Sequence, residues 1–175
     1  MALADPPLRI RRIRPDEGPL LRELRLRSLA DSPDAFGQHV EDAELQPAAE
    51  WTATAKAAAG GDRRAWFIAE VPRPDGDARA VGLVLGRRRP PDVLLIFSMW
   101  VDPAVRRLGV GSRLIATAEA WASTWGARES VLWVFGANDP AIRFYHRLGF
   151  TTDRDTDDAR TGAQYGALAM RRRIR

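Results

Sequence analysis

The chain has 175 residues, 45% of them apolar, with six tryptophans and a formal charge of +4 from 27 basic and 23 acidic residues. That content supports one folded domain over residues 1–175 and argues against disorder, and no apolar run approaches the ~20 residues of a membrane span. Cysteine is absent, which excludes thiolate metal sites, disulfides and cysteine nucleophiles, and the scattered His39 and His146 make no zinc site by themselves, so no metal is expected.

Leu8 to Ile13 alternates apolar and basic side chains, the period of a half-buried strand. After Pro15-Asp16-Glu17, leucines at 20, 21, 24, 26 and 29 recur at helical spacing, so Pro19 to about Ala30 is predicted as an amphipathic helix closed by Ser32-Pro33. Asp34 to Gln46 is polar around an isolated Phe36 and reads as a loop. Pro47 to Ala59, with proline at its start, an alanine-rich body and Gly60-Gly61 as its stop, reads as a second helix. Trp66 to Val71 and Val81 to Arg87 form a hairpin across Pro72-Arg73-Pro74-Asp75-Gly76-Asp77. A second turn, Arg87 to Asp92, leads to Val93–Val101, giving three adjacent antiparallel strands.

From about Leu108, the positions Leu114, Ile115, Ala118, Trp121, Ala122 and Trp125 mark one buried helix face, and Gly126 ends that helix. Ser130 to Phe135 is a buried strand. Strand, helix and strand over residues 93 to 135 imply a right-handed crossover and a parallel pair. Asn138 or Asp139 as cap, Pro140 at the first helical position and Gly149 at the stop specify a short helix. Thr151 to Thr156 and Tyr165 to Ile174 close the chain as two strands around a polar loop, Asp157 to Gly162.

The junction after the central strand, Arg106-Arg107-Leu108-Gly109-Val110-Gly111, is chemically suited to a diphosphate. The first N–H groups of a helix have no intrahelical partner and carry a partial positive charge, so phosphate oxygens are favoured there. Gly109 and Gly111 let a ligand approach the backbone, and Arg106 and Arg107 add charge. The stretch is neither a P-loop, which needs G-K-[ST], nor the G-x-G-x-x-G of a dinucleotide fold. The arginine clusters 87–89 and 171–173 lack interleaved aromatics, so no nucleic-acid partner is expected. Met1 to Pro7 lacks the pattern of a secretory leader, and a cytoplasmic location is expected.

Two stretches together resemble the GCN5-related N-acetyltransferase (GNAT) superfamily. Its cofactor motif, R/Q-x-x-G-x-G/A after a strand ending in V-x-P, matches Val101-Asp102-Pro103 and Arg106 to Gly111. Its second signature, N-x-x-A-x-x-F-Y-x-x-x-G-F, matches Asn138, Ala141, Phe144, Tyr145, Gly149 and Phe150. The resemblance implies an α+β fold: a mostly antiparallel sheet of about seven strands with a central splayed parallel pair, flanked by about four helices. It implies acetyl-CoA as acetyl donor, its diphosphate on the amides of Arg107, Leu108, Gly109, Val110, Gly111 and Ser112. The pantetheine arm would run along Met99, Trp100 and Val101 like an added strand. It would also touch Asn138.

The resemblance further implies that Tyr145 is the general acid that protonates the leaving thiolate, a role a phenol with a pKa near ~10 can fill at neutral pH. Many relatives place a Glu on the strand matching Val93–Val101 as general base, and this chain has no carboxylate there. Asp92, Glu129, Glu41, Glu44, His39 and a water relay from Ser98 all stand as alternatives. Phe36, His39 and Trp51 are the expected acceptor-pocket residues. The function implied is transfer of an acetyl group to a primary amine of a small molecule or peptide by direct attack, in a monomer or homodimer. A non-catalytic acyl-CoA-binding module is the alternative.

Overall fold

The computed structural model describes residues 8–73 and 76–174. Two earlier expectations therefore fall outside it: the reading of Met1 to Pro7, and the middle of the 72–77 turn at Pro74 and Asp75. The described residues form a seven-stranded sheet in the order β1-β2-β3-β4-β5-β7-β6. Its strands are β1 (Arg9–Arg12), β2 (Arg64–Pro72), β3 (Ala78–Arg89), β4 (Val93–Val101), β5 (Glu129–Phe135), β6 (Thr151–Asp153) and β7 (Ala167–Arg173). All neighbours are antiparallel except β4 and β5, as the crossover between them requires. The helices are α1 (Gly18–Asp31), α2 (Val40–Leu45), α3 (Ala48–Ala58), α4 (Val110–Ser123), α5 (Asp139–Arg147) and α6 (Asp157–Gln164). None among the described residues is long and apolar enough to cross a membrane.

Alternation along the strands divides the core in two. In β2, Ala65, Phe67 and Ala69 join Leu114, Ile115 and Ala118 of α4, with Tyr145 of α5 in the same cluster. Trp66 and Ile68 face the other way, onto Leu21, Leu24 and Leu29 of α1 and Trp51, Ala55 and Ala58 of α3. Both sheet faces are thus covered, which is why β2 and β3 read as nearly continuous apolar runs.

Six helices stand where about four were expected. Both additions fall in stretches read from sequence as loops. In α2 only Ala43 is buried, so Asp34–Gln46 carries almost no apolar period. In α6 the buried side chain is Asp158, gripped by Arg89 (2.6 and 2.9 Å) and Arg171 (3.2 Å), while Trp133 Nε1 donates to its carbonyl at 2.9 Å. Such a helix is held by polar tertiary contacts, which hydrophobic periodicity does not register. The final hairpin is correspondingly shorter than expected, with β6 ending at Asp153.

Candidate active site

The parallel ladder between β4 and β5 runs from Val93↔Glu129 to Ile96↔Leu132 and stops there. At that point β4 has a bulge against β3: Ser98 and Met99 lie opposite Val84 alone, and Ser98 takes φ 51°. An extra residue bends its strand and breaks pairing. Beyond Ile96 the two central strands part, and a cavity of about 740 Å³ lies where they separate. Phe97, Ser98 and Met99 line it from β4, Leu132 to Phe135 from β5, and Asn138, Ala141 and Tyr145 from the start and buried face of α5.

The glycine-bearing junction reaches α4 by a backbone that few residues tolerate. Arg107 has φ 68° and Gly109 φ 78°, both left-handed, while Arg106 has φ −63°. Alternating φ signs turn successive amides toward one side, the arrangement that receives anions. The helix begins at Val110 with Gly109 as N-cap, two residues later than the sequence indicated. No side chain caps it, and its first amide bond is Arg113 N–H to the Gly109 carbonyl at 3.1 Å. The amides of Val110, Gly111 and Ser112 precede that bond and so remain free to receive a ligand. At α5, by contrast, Asn138 Oδ1 accepts from Ala141 N–H at 3.2 Å and satisfies one such group internally.

The two motif glycines have different duties. A Cβ on Gly109 would meet only Ser112 Oγ at 3.8 Å, so this residue serves backbone conformation and open access. A Cβ on Gly111 would lie 2.8 Å from Met99 Cε and 3.0 Å from Phe144 Cζ. Gly111 therefore lets β4, α4 and α5 converge, joining the two sequence motifs in space. The arginines also differ. Arg106 donates from Nε to the Val101 carbonyl at 2.9 Å and pairs with Asp31, so it ties the junction to β4 and α1. The Val101 carbonyl is thereby occupied, and Trp100, 5% exposed, is a core residue whose Nε1 donates to Asp31 at 2.9 Å. Arg107 and Leu108 are exposed, and no hydrogen bond or ion pair engages the Arg107 side chain among the described residues.

Tyr145 is 8% exposed, with its ring edge-on to Phe144 (5.1 Å) and Phe150 (5.6 Å). Burial pushes its phenol pKa up from the usual value, so the group stays protonated across the neutral range. The hydroxyl makes no hydrogen bond to the described residues, while the residue lines the cavity.

Of the expected acceptor-pocket residues, Phe36 lines the cavity. His39 does not; it is the exposed N-cap residue of α2. Trp51 does not either: it is 4% exposed within the core between α3 and the sheet, because α3 turns its apolar face to β2. Asp92 and Glu129 sit at the opposite, paired end of β4 and β5, and Glu129 is bound to Arg171 at 3.2 Å. Glu41 and Glu44 are exposed on α2. Ser98 is the one base alternative that reaches the cavity. Sequence reasoning missed Arg25, Gln38, Thr161 and Tyr165, which also line it. Arg25 carried a usable signal: Leu21, Arg25 and Ser28 fall at helical spacing on the buried stripe of α1, an unusual place for a charge.

Two carboxylates, the buried Asp102 and the more exposed Asp31, brace this end of the sheet. Asp102 accepts from Arg27 (2.5 Å), Arg79 (2.6 Å) and Ala104 N–H (2.9 Å), and Asp31 accepts from Trp100, Ser32 and Arg106. Desolvation works to raise both pKa values, but the hydrogen bonds and cations outweigh it and both are lowered. A carboxyl whose folded pKa lies below its unfolded value near ~3.9 contributes stability above that value and loses it as pH falls through the folded one. The melting temperature should accordingly hold from pH 7 to about 5 and drop below about 4. A flat calorimetric profile down to pH 3 would refute this role for the two carboxylates.

The model of the acetyltransferase family designated GNAT matches residues 26–150 of the chain. Over 95 residues the chain is 35% identical to an uncharacterized N-acetyltransferase of Methanocaldococcus jannaschii, covering 51% of this chain and 40% of that protein. Over 125 residues it is 29% identical to a mycothiol acetyltransferase of Thermomonospora curvata, covering 71% of this chain and 37% of that one. The chain thus spans under half the length of these curated relatives. Its fold superposes with a TM-score of 0.70 on a PaiA N-acetyltransferase of Thermoplasma acidophilum solved in complex with coenzyme A. That match has 16% identity and covers 95% of this chain and 98% of the other.

Proposed function

The chain belongs to the GNAT acetyltransferase family, and from that premise we propose that it transfers an acetyl group from acetyl-CoA to a primary amine by direct attack. One observation carries the reading. The uncapped amides of α4, the parting of β4 from β5 and the Tyr145 hydroxyl are brought to one end of the sheet, the last two in one cavity. Acetyl-CoA would supply an activated acetyl carbon and a thiolate leaving group.

The amides of Val110 to Ser112 and the Arg107 side chain suit the diphosphate, since both are donors left without partners among the described residues. The side of β4 that faces β5 has no strand partner from Phe97 onward, which suits an extended arm. Asn138 uses its carbonyl oxygen as a helix cap, so its amide nitrogen is the atom turned to a ligand. As the amine nitrogen bonds to the acetyl carbon and the C–S bond breaks, Tyr145 Oη would give its proton to the departing sulfur, and the surplus proton on the new amide nitrogen would return through water to the phenolate. Among the described residues lining the cavity there is no Asp, Glu, His or Lys. The ammonium proton therefore leaves to water before attack, and desolvation in an apolar cavity favours the neutral amine.

The absence of a carboxylate also favours a second reading, a non-catalytic acyl-CoA-binding module. Release of free thiol from acetyl-CoA across a panel of primary amines separates the two. Acceptor-dependent thiol release is expected. Tight acetyl-CoA binding with silence across the panel would establish the second reading, and failure to bind acetyl-CoA at all would end both. A cytoplasmic location is part of the same proposal, as the site of acetyl-CoA supply.

A further inference from the structure

Arg25 is the only arginine among the described residues that is essentially buried, at 5% exposure. More exposed arginines of this molecule hold carboxylates: Arg11 binds Glu17 and Glu70, Arg27 binds Asp102, Arg89 binds Asp158 and Arg172 binds Glu119. Arg25 has none. Its partners are neutral, Gln38 Oε1 at 2.9 Å and Ser28 Oγ at 3.4 Å, and its guanidinium lies 5.1 Å from the centre of the Phe36 ring. Burial without a counter-charge pushes its pKa down to about 10, which still leaves it a cation at neutral pH.

A guanidinium has five N–H donors, and two here meet protein atoms, so the others are available to a ligand. Holding an unpaired cation in an apolar cavity is unfavourable unless an anion joins it, and the planar fork matches a carboxylate in particular. Among the described residues, Arg25 is also the only charged one lining the cavity that Tyr145 lines. The remaining wall is mostly apolar and includes the aromatic rings of Phe36, Phe97, Trp133, Phe135 and Tyr165. On the transferase reading, the cavity of about 740 Å³ is shared between the end of the cofactor arm and the acceptor, which limits the acceptor to a small molecule or the end of a larger one. A polyamine or aminoglycoside would bring several ammonium groups to a wall with one cation and no carboxylate to receive them.

We infer that the acceptor is a small primary amine that also bears a carboxylate on an apolar or aromatic body, with Arg25 binding the carboxylate. This rests on the transferase reading only in calling the ligand an acceptor and in bounding its size, and its test is a binding measurement. Calorimetry on the full chain saturated with CoA would compare matched pairs: phenylalanine with phenethylamine, tryptophan with tryptamine, leucine with isoamylamine. In at least one pair the carboxylate compound should bind about 30-fold or more tightly than its decarboxylated partner. Arg25→Met, which keeps much of the aliphatic stem, should abolish that preference and leave the amine's affinity unchanged. Arg25→Lys, which keeps the charge and loses the fork, should retain part of it.

If the Met variant does not fold, the wild-type pairs still decide the matter. Equal or tighter binding of the amines in every pair overturns the inference. Thiol release reads the transferase proposal separately: carboxylate preference without turnover would leave Arg25 as a carboxylate site and remove the acetyl transfer.

Discussion

Tyr145→Phe should lower turnover by about 100-fold or more with a good acceptor, without weakening acetyl-CoA binding and without lowering the melting temperature. The asymmetry follows from the environment of the residue. The hydroxyl has no hydrogen-bond partner among the described residues, so deleting it strands no buried group. The ring keeps its edge-on contacts with Phe144 and Phe150, which hold α5 against the core. A loss confined to the rate constant, under conditions where single-turnover kinetics show chemistry to be limiting, is the signature of a proton donor. Wild-type turnover under those conditions would make Tyr145 a packing residue. Because burial holds its pKa above the usual value near ~10, wild-type kcat should show no alkaline decline from Tyr145 below about pH 10.

Gly109→Asp should abolish most acetyl-CoA affinity in a protein that still folds. Aspartate is among the few residues that accept left-handed φ, and the Cβ of this position meets nothing closer than 3.8 Å. A carboxylate beside a helix N-terminus is favourable in itself, so the melting temperature should stay near that of the wild type. The same carboxylate would face the diphosphate. Two like charges about 4 Å apart near a protein surface repel by roughly 4 kcal/mol before salt screening, so a loss on the order of 100-fold is expected, smaller at high salt. Gly109→Asn, of the same size without the charge, should lose far less. Equal affinities for the Asp and Asn variants, measured by calorimetry, would place the diphosphate elsewhere.

Residues with steep local preferences made most of the fold legible in advance. Asn138-Asp139-Pro140 and Gly149 delimit α5 almost to the residue, because capping and proline geometry act within a single turn. The apolar stripe of α4 and the double-sided runs of β2 to β5 were equally clear. The misses share one cause. Helix α6 depends on Arg89, Arg171 and Trp133 reaching Asp158 from other elements, and α2 buries only Ala43, so neither leaves a periodic trace in its own stretch. Trp51 illustrates the converse: a large aromatic in a chemically plausible region proved to be core, since an apolar side chain looks the same in sequence whichever surface covers it.

For the proposed site, sequence alone determined the glycine-bearing junction that opens α4. The spacing of Arg106, Gly109 and Gly111 after Val101-Asp102-Pro103 encodes backbone conformation and helix start, which are local properties. Tertiary structure decided the cavity lining, where residues distant in the chain meet. It committed Arg106 to Asp31 and Val101, assigned Gly111 to the contact of Met99 with Phe144, and left Arg25 of α1, with no carboxylate partner among the described residues, in the cavity that Tyr145 of α5 also lines. A charge acquires meaning from the partners that folding provides or withholds, and those partners lie beyond the range of any local pattern.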